Sequence, residues 1–355
     1  MDIASVRIFR MSFATAICML VSQIYAWPMS FIAPIITMFI LALPLPAMGL
    51  KGAIKFFIVF AVALYGALVL LPFIVYYRMA GLLLVSLALF HSFYFTARGG
   101  SPILGNLATM GITLVTAVGS VSIDMTLSLI SGLLVGISVG LVFVWIGFAV
   151  FPDSMAKAPD GPKPEPPPPP PKPSLESARY SAFRSLLIVL PILIWFLFSG
   201  ASASYFVVMI KVASMGQQAS LDKTRDAANS LLYSTIIGGV GAIICWQLMG
   251  IWPSLVLYTL LIGASGLIIG PRIFQGLGMS PAGPTWSYGF LTLIVILAPA
   301  VLDGQFGSSV DSAFWSRFFL LVGTSLYGVV AVWFFDLFSH DRAASPVTDP
   351  KPTAP

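Results

Sequence analysis

Lys211 carries the most chemical information of any single residue. It closes the apolar stretch Tyr205-Phe206-Val207-Val208-Met209-Ile210. An amine placed inside a bilayer costs about 2.5–3.5 kcal/mol on insertion scales. One reading makes it a cationic contact for an anionic substrate. The other lets its long stem carry the amine out to the membrane interface. Ser214 and Gln218 follow at helical spacings, which gives that segment one polar face.

A second constellation follows at Asp222-Lys223-Thr224-Arg225-Asp226, with Asn229, Ser230 and Tyr233 beyond it. Asp226, Asn229, Ser230 and Tyr233 recur at helical steps and predict one polar stripe. A polar stripe on a membrane helix faces other helices or water rather than lipid. Lys223 and Arg225 would then stand at the mouth of a pathway. Alternatively, Asp222 and Asp226 neutralise Lys223 and Arg225 in a charged loop. Lys211, Gln218, Lys223, Arg225, Asp226, Asn229 and Tyr233 are the candidate substrate-binding residues.

Other polar residues have plainer expectations. Asn106, Thr109, Thr113 and Thr116 repeat at helical intervals, and such hydroxyls often bond their own backbone or a neighbouring helix. Gly132, Gly136 and Gly140 form a doubled small-xxx-small pattern that predicts close helix packing. His91 is either a proton carrier or a structural histidine. Asp124, Asp303 and Asp311 fall at helix ends, as proton acceptors or as solvated loop acids. Phosphate-loop and dinucleotide motifs do not occur, and neither does a His/Cys/carboxylate metal cluster. Catalysis, a cofactor and nucleic-acid binding are therefore not expected.

These residues need elements to hold them, and composition says which kind. Hydrophobic residues make up 58% of the chain and charged residues 9%, against about 25% charged in soluble domains. The expected class is an all-α integral membrane protein with about twelve transmembrane helices in the bilayer. Helices are predicted near 8–27, 29–48, 52–71, 74–95, 103–122 and 126–151. Six more are predicted near 181–200, 202–219, 226–248, 252–270, 285–302 and 314–338. The junctions at Trp27-Pro28 and Ser199-Gly200 allow only tight turns. Cys18 and Cys245 lie in apolar runs and suggest no disulfide. The first apolar run is too long for a signal peptide and is expected to be retained.

The predicted organisation is a first repeat over 1–151, a Pro-rich linker over 152–178, a second repeat over 179–340 and a disordered tail over 341–355. Pro166 to Pro171 cannot be helical and read as an extended spacer, or as a ligand for a Pro-reading domain. At an offset of 172, Arg7 meets Arg179, Lys51 meets Lys223 and Gly66 meets Gly238. Trp145 and Asp153 correspond to Trp333 and Asp341, 188 residues on. An even helix count gives both repeats the same orientation. With the N-terminus inside, nearly all loop lysines and arginines face the cytoplasm, and only Arg78 and Arg317 face out. Both termini and the linker are then cytoplasmic, in a bacterial inner membrane.

Arg7 and Arg10, Trp27, then Lys51 and Lys55 mark the first half. Arg179 and Arg184, Lys223 and Arg225, and Thr235-Ile236-Ile237-Gly238-Gly239-Val240-Gly241 mark the second. This pattern resembles the fusaric-acid-resistance-like (FUSC) clan, which contains aromatic acid exporters. The resemblance implies efflux of small, often aromatic or carboxylated compounds, together with a periplasmic membrane-fusion partner. The large cytoplasmic domain of the clan's longer exporters has no counterpart here.

The functional expectation is a secondary exporter of small organic anions, with further copies of the chain among its partners. A major-facilitator-like transporter and a non-transporting membrane scaffold are the alternatives. The Gly-x-x-x-Asp-Arg-x-Gly-Arg loop of the former does not occur between the second and third predicted helices.

Overall fold

The computed structural model describes residues 2–155, 174–199, 211–213, 215–216, 224–304 and 310–339. In the first half, α1 (Ile3–Tyr25), α2 (Ile32–Leu41), α3 (Leu50–Val69) and α4 (Leu71–Tyr76) are followed by α5 (Arg78–Ala97), α6 (Pro102–Gly119) and α7 (Ile123–Val150). In the second half come α8 (Leu175–Ser199), α9 (Thr224–Ile251), α10 (Leu255–Ile273), α11 (Gly283–Gly304) and α12 (Val310–Ser339). A short hairpin, β1 (Phe274–Gln275) with β2 (Gly278–Met279), joins α10 to α11. Ten helical segments are long and apolar enough to cross a membrane among the described residues. The chain is therefore an all-α, multi-pass membrane protein.

The second predicted helix, 29–48, is corrected to the ten residues of α2. Its limits follow from local chemistry. Ala26 and Met29 take positive φ, which reverses the chain around Trp27-Pro28. At the other end, Pro44 and Pro46 remove amide donors and disfavour helix at Leu43 and Leu45. Ten helical residues span about 15 Å, half the apolar thickness of a bilayer. The Met48 carbonyl beyond them accepts the Trp145 indole N–H at 2.7 Å. The predicted helix at 202–219, the linker prolines Pro166 to Pro171 and the tail lie largely or wholly outside the described residues.

Glycine seats α2 on α7. Gly132, Gly136 and Gly140 all face it, as their spacing predicts. A Cβ on Gly140 would lie 2.9 Å from the Ala33 carbonyl oxygen, and one on Gly132 would strike the Pro28 carbonyl. Thr37 ties the pair by donating to the Gly140 carbonyl at 3.1 Å.

The halves also pack reciprocally. The first helix of one half lies against the third long helix described in the other, α1 on α10 and α8 on α5. Gly263 meets Ala16, Gly266 meets Ser12 and Gly270 meets Ile8, so α1 and α10 run antiparallel. Within the halves, α6 lies on α3 and α11 on α9, each pair parallel. The most enclosed spans are α6 and α11. These two helices form the centre of the bundle.

Candidate functional site

Lys211 is buried, and its ammonium Nζ donates to Thr292 Oγ1 at 3.0 Å. Thr292 in turn donates to the Tyr288 carbonyl one turn earlier. Its Cα stands roughly 13 Å along α11 from Gly283 at 1.5 Å per residue, near mid-helix. The amine is thus directed into the centre of the bundle rather than outward along its stem. Gly238 admits this arrangement, because a Cβ there would lie 2.5 Å from Thr292 Cβ.

At the offset of 172 that aligns Arg7 with Arg179, Lys211 corresponds to Phe39. Phe39 meets Tyr288 edge-on, with ring centroids 5.8 Å apart. One turn of α11, Tyr288 to Thr292, therefore receives an aromatic ring from the first half and an amine from the second. Beside it lies a void of about 20 Å³, room for one water molecule. Phe39, Asn106, Met110 and Leu291 are among its lining residues. Asn106 Oδ1 is buried there without a hydrogen-bond partner among the described residues.

The other sequence-predicted residues are more dispersed. Asn229 and Tyr233 are exposed on the outer face of α9. Ser230 of the same stripe turns inward and shares a 2.9 Å hydrogen bond with Thr285 of α11. Arg225 and Asp226 start α9, with only their backbone described. Ser214, Gln218, Asp222 and Lys223 lie outside the described residues. His91 is exposed, with Nδ1 2.8 Å from the Leu87 carbonyl. Asp124 lies in the first turn of α7, and the side chains of Asp303 and Asp311 fall outside the description.

Hydroxyls on α6 bond mostly within the helix. Thr113 donates to the Thr109 carbonyl and Thr116 to the Ile112 carbonyl. Thr109 also pairs with Ser92 of α5 at 2.8 Å. Sequence reasoning missed Thr292 and Phe39 because a single threonine or phenylalanine in an apolar run carries no pattern. The repeat offset was the one available signal, and it points from Lys211 to Phe39.

A second polar centre closes the end of the bundle where α1 begins. Arg10 is buried, and its Nε and Nη2 donate to the Phe151 carbonyl at 2.8 and 2.6 Å. Nη2 also pairs with Asp153 at 2.6 Å, and the guanidinium lies over the Phe148 ring. This cation holds the C-terminal end of α7, where free carbonyls attract positive charge.

The fold and these two centres define a multi-pass helical membrane protein with Lys211 and Arg10 buried within it. A family described as "Protein of unknown function (DUF2955)" has a model that matches residues 7–146, from α1 into α7. No curated protein and no solved structure matches the chain.

Proposed function

We propose that the protein is a secondary transporter that exports small organic anions, with the Lys211 ammonium as the anion's contact. The observation that carries this reading is the burial of Lys211 against Thr292 at mid-helix, where the two halves meet on α11. A permanent structural amine has little reason to sit at such depth, whereas an anion-binding amine gains from it. Low-dielectric surroundings strengthen its charge-assisted hydrogen bond to a carboxylate. Phe39 and Tyr288 offer ring faces beside that contact, which suits aromatic carboxylates. The resemblance to the FUSC clan points the same way and adds a periplasmic membrane-fusion partner, an inner-membrane location and cytoplasmic termini. Lys223 and Arg225 would gather anions at the cytoplasmic mouth. The void of about 20 Å³ beside Phe39 is itself too small for such a cargo.

The test is export of a panel of organic anions from cells producing equal amounts of wild-type protein and Lys211→Met. Loss of a charge-assisted contact should lower export by about tenfold or more. Wild-type export by an inserted, abundant Lys211→Met protein would refute the proposal.

A further inference from the structure

We propose that Asn106 is a second contact of the exported anion and selects among cargoes, its side-chain oxygen accepting a hydrogen bond from an O–H or N–H group that the anion carries apart from its carboxylate. The assignment rests on the Lys211 contact proposed above. Asn106 lies on α6, the enclosed helix of the first half. Its Oδ1 is buried at the void of about 20 Å³ and has no hydrogen-bond partner among the described residues. The threonines of α6 are all paired, Thr109 with Ser92, and Thr113 and Thr116 with carbonyls of their own helix. Every other described residue that lines the void is apolar: Ile35, Ile36, Phe39, Leu107, Met110 and Leu291. A buried acceptor left unpaired destabilises a fold. Its partner is therefore sought outside the chain.

A water in the void would be poorly held. Buried waters ordinarily make about three hydrogen bonds, and among the described residues Asn106 alone supplies a polar side chain there. Such a water is readily displaced by a group of its own size. A hydroxyl or amino group has that size and gives Oδ1 the donor it lacks. The void also stands level with the Lys211 contact. Leu291 at the void and Thr292 at the ammonium are successive residues, about 100° apart around α11. Tyr288, one turn before Thr292, projects between those two directions, with Phe39 edge-on to it. An anion with its carboxylate at Lys211 and its body beside Phe39 and Tyr288 would turn its far end toward Asn106. The first half then reads the donor and the second half the charge. A cargo without the donor would leave Oδ1 unpaired and is disfavoured.

The test is counterflow in proteoliposomes of the purified full chain, with para-aminobenzoate and para-methylbenzoate as probes at a mildly alkaline pH that ionises both. The amino and methyl groups are alike in size, and only the amino group donates. The wild type should favour para-aminobenzoate by about tenfold or more. Asn106→Leu and the smaller Asn106→Ala should each bring that ratio to about one while still carrying para-methylbenzoate. Equal handling of the two anions by the wild type, with neither carried included, would overturn the proposal. An undiminished preference in either folded variant would also overturn it. Loss of folding in both variants would do the same, by assigning Asn106 a structural role. Lys211→Met separates the two contacts. Wild-type transport of both anions by Lys211→Met would refute the Lys211 contact on which Asn106 depends. Transport of neither, with the preference intact in the Asn106 variants, would overturn the Asn106 assignment alone.

Discussion

Lys211 and Arg10 are both buried cations, but they are held differently. Arg10 has a carbonyl, a carboxylate and an aromatic face around one rigid fork. Arg10→Met should lower stability by about 2 kcal/mol, because it strips the Phe151 carbonyl of its donor. Asp153→Asn should cost under about 1 kcal/mol, since Asp153 is 48% exposed. Thermal unfolding in detergent would compare them, and the reverse order would mean that the ion pair dominates. At the other cation, Thr292→Val deletes an acceptor from a buried amine and should cost about 1–3 kcal/mol, while Thr292→Ser should be nearly neutral. The same unfolding assay reads both. Lys211 was legible in the sequence because an ammonium is conspicuous among apolar residues. The direction of its amine was not, since stem length alone permits both inward and outward placement.

Glycine spacing on α7 translated directly into packing, because a missing Cβ is a local property of the sequence. Gly132→Ala and Gly140→Ala should each destabilise by about 1–3 kcal/mol through overpacking, the first against the Pro28 carbonyl before α2 and the second against the α2 backbone. Gly250→Ala on α9, with nothing within 4 Å of the added methyl, should instead be neutral or stabilising by up to about 1 kcal/mol. Melting temperatures of the three variants would separate the classes, and equal losses would contradict the seating of α2. The length of α2 was misread for a physical reason. Hydropathy runs on unbroken through Leu43 and Leu45, whereas Pro44 and Pro46 end the hydrogen bonding. The stripe on α9 was misread for another. Steps of three, four and seven cover a broad arc, so Ser230 reaches α11 while Asn229 and Tyr233 remain on the exposed side.

Reciprocal packing of α1 on α10 and α8 on α5 brings α6 and α11 to the centre, and no local pattern reveals that exchange. Only the offset between halves hints at it, through the pairing of Phe39 with Lys211. The Lys and Arg distribution predicts that reporters fused at Pro168 and after Pro355 both read cytoplasm. That outcome requires the stretch from α2 through residue 49 to cross back despite its short helix. A periplasmic signal at either fusion would contradict it. The central claim is that a positive charge at position 211 contacts the exported anion, and chemical rescue tests it most directly. In a Cys18→Ala/Cys245→Ala background, Lys211→Cys should lose export of the anion. Attaching an aminoethyl group through a disulfide should restore an ammonium near the original place and recover export. A neutral methyl group attached in the same way should not. Full export by Lys211→Cys would contradict the account, as would no recovery after aminoethyl labelling that mass spectrometry shows to be complete.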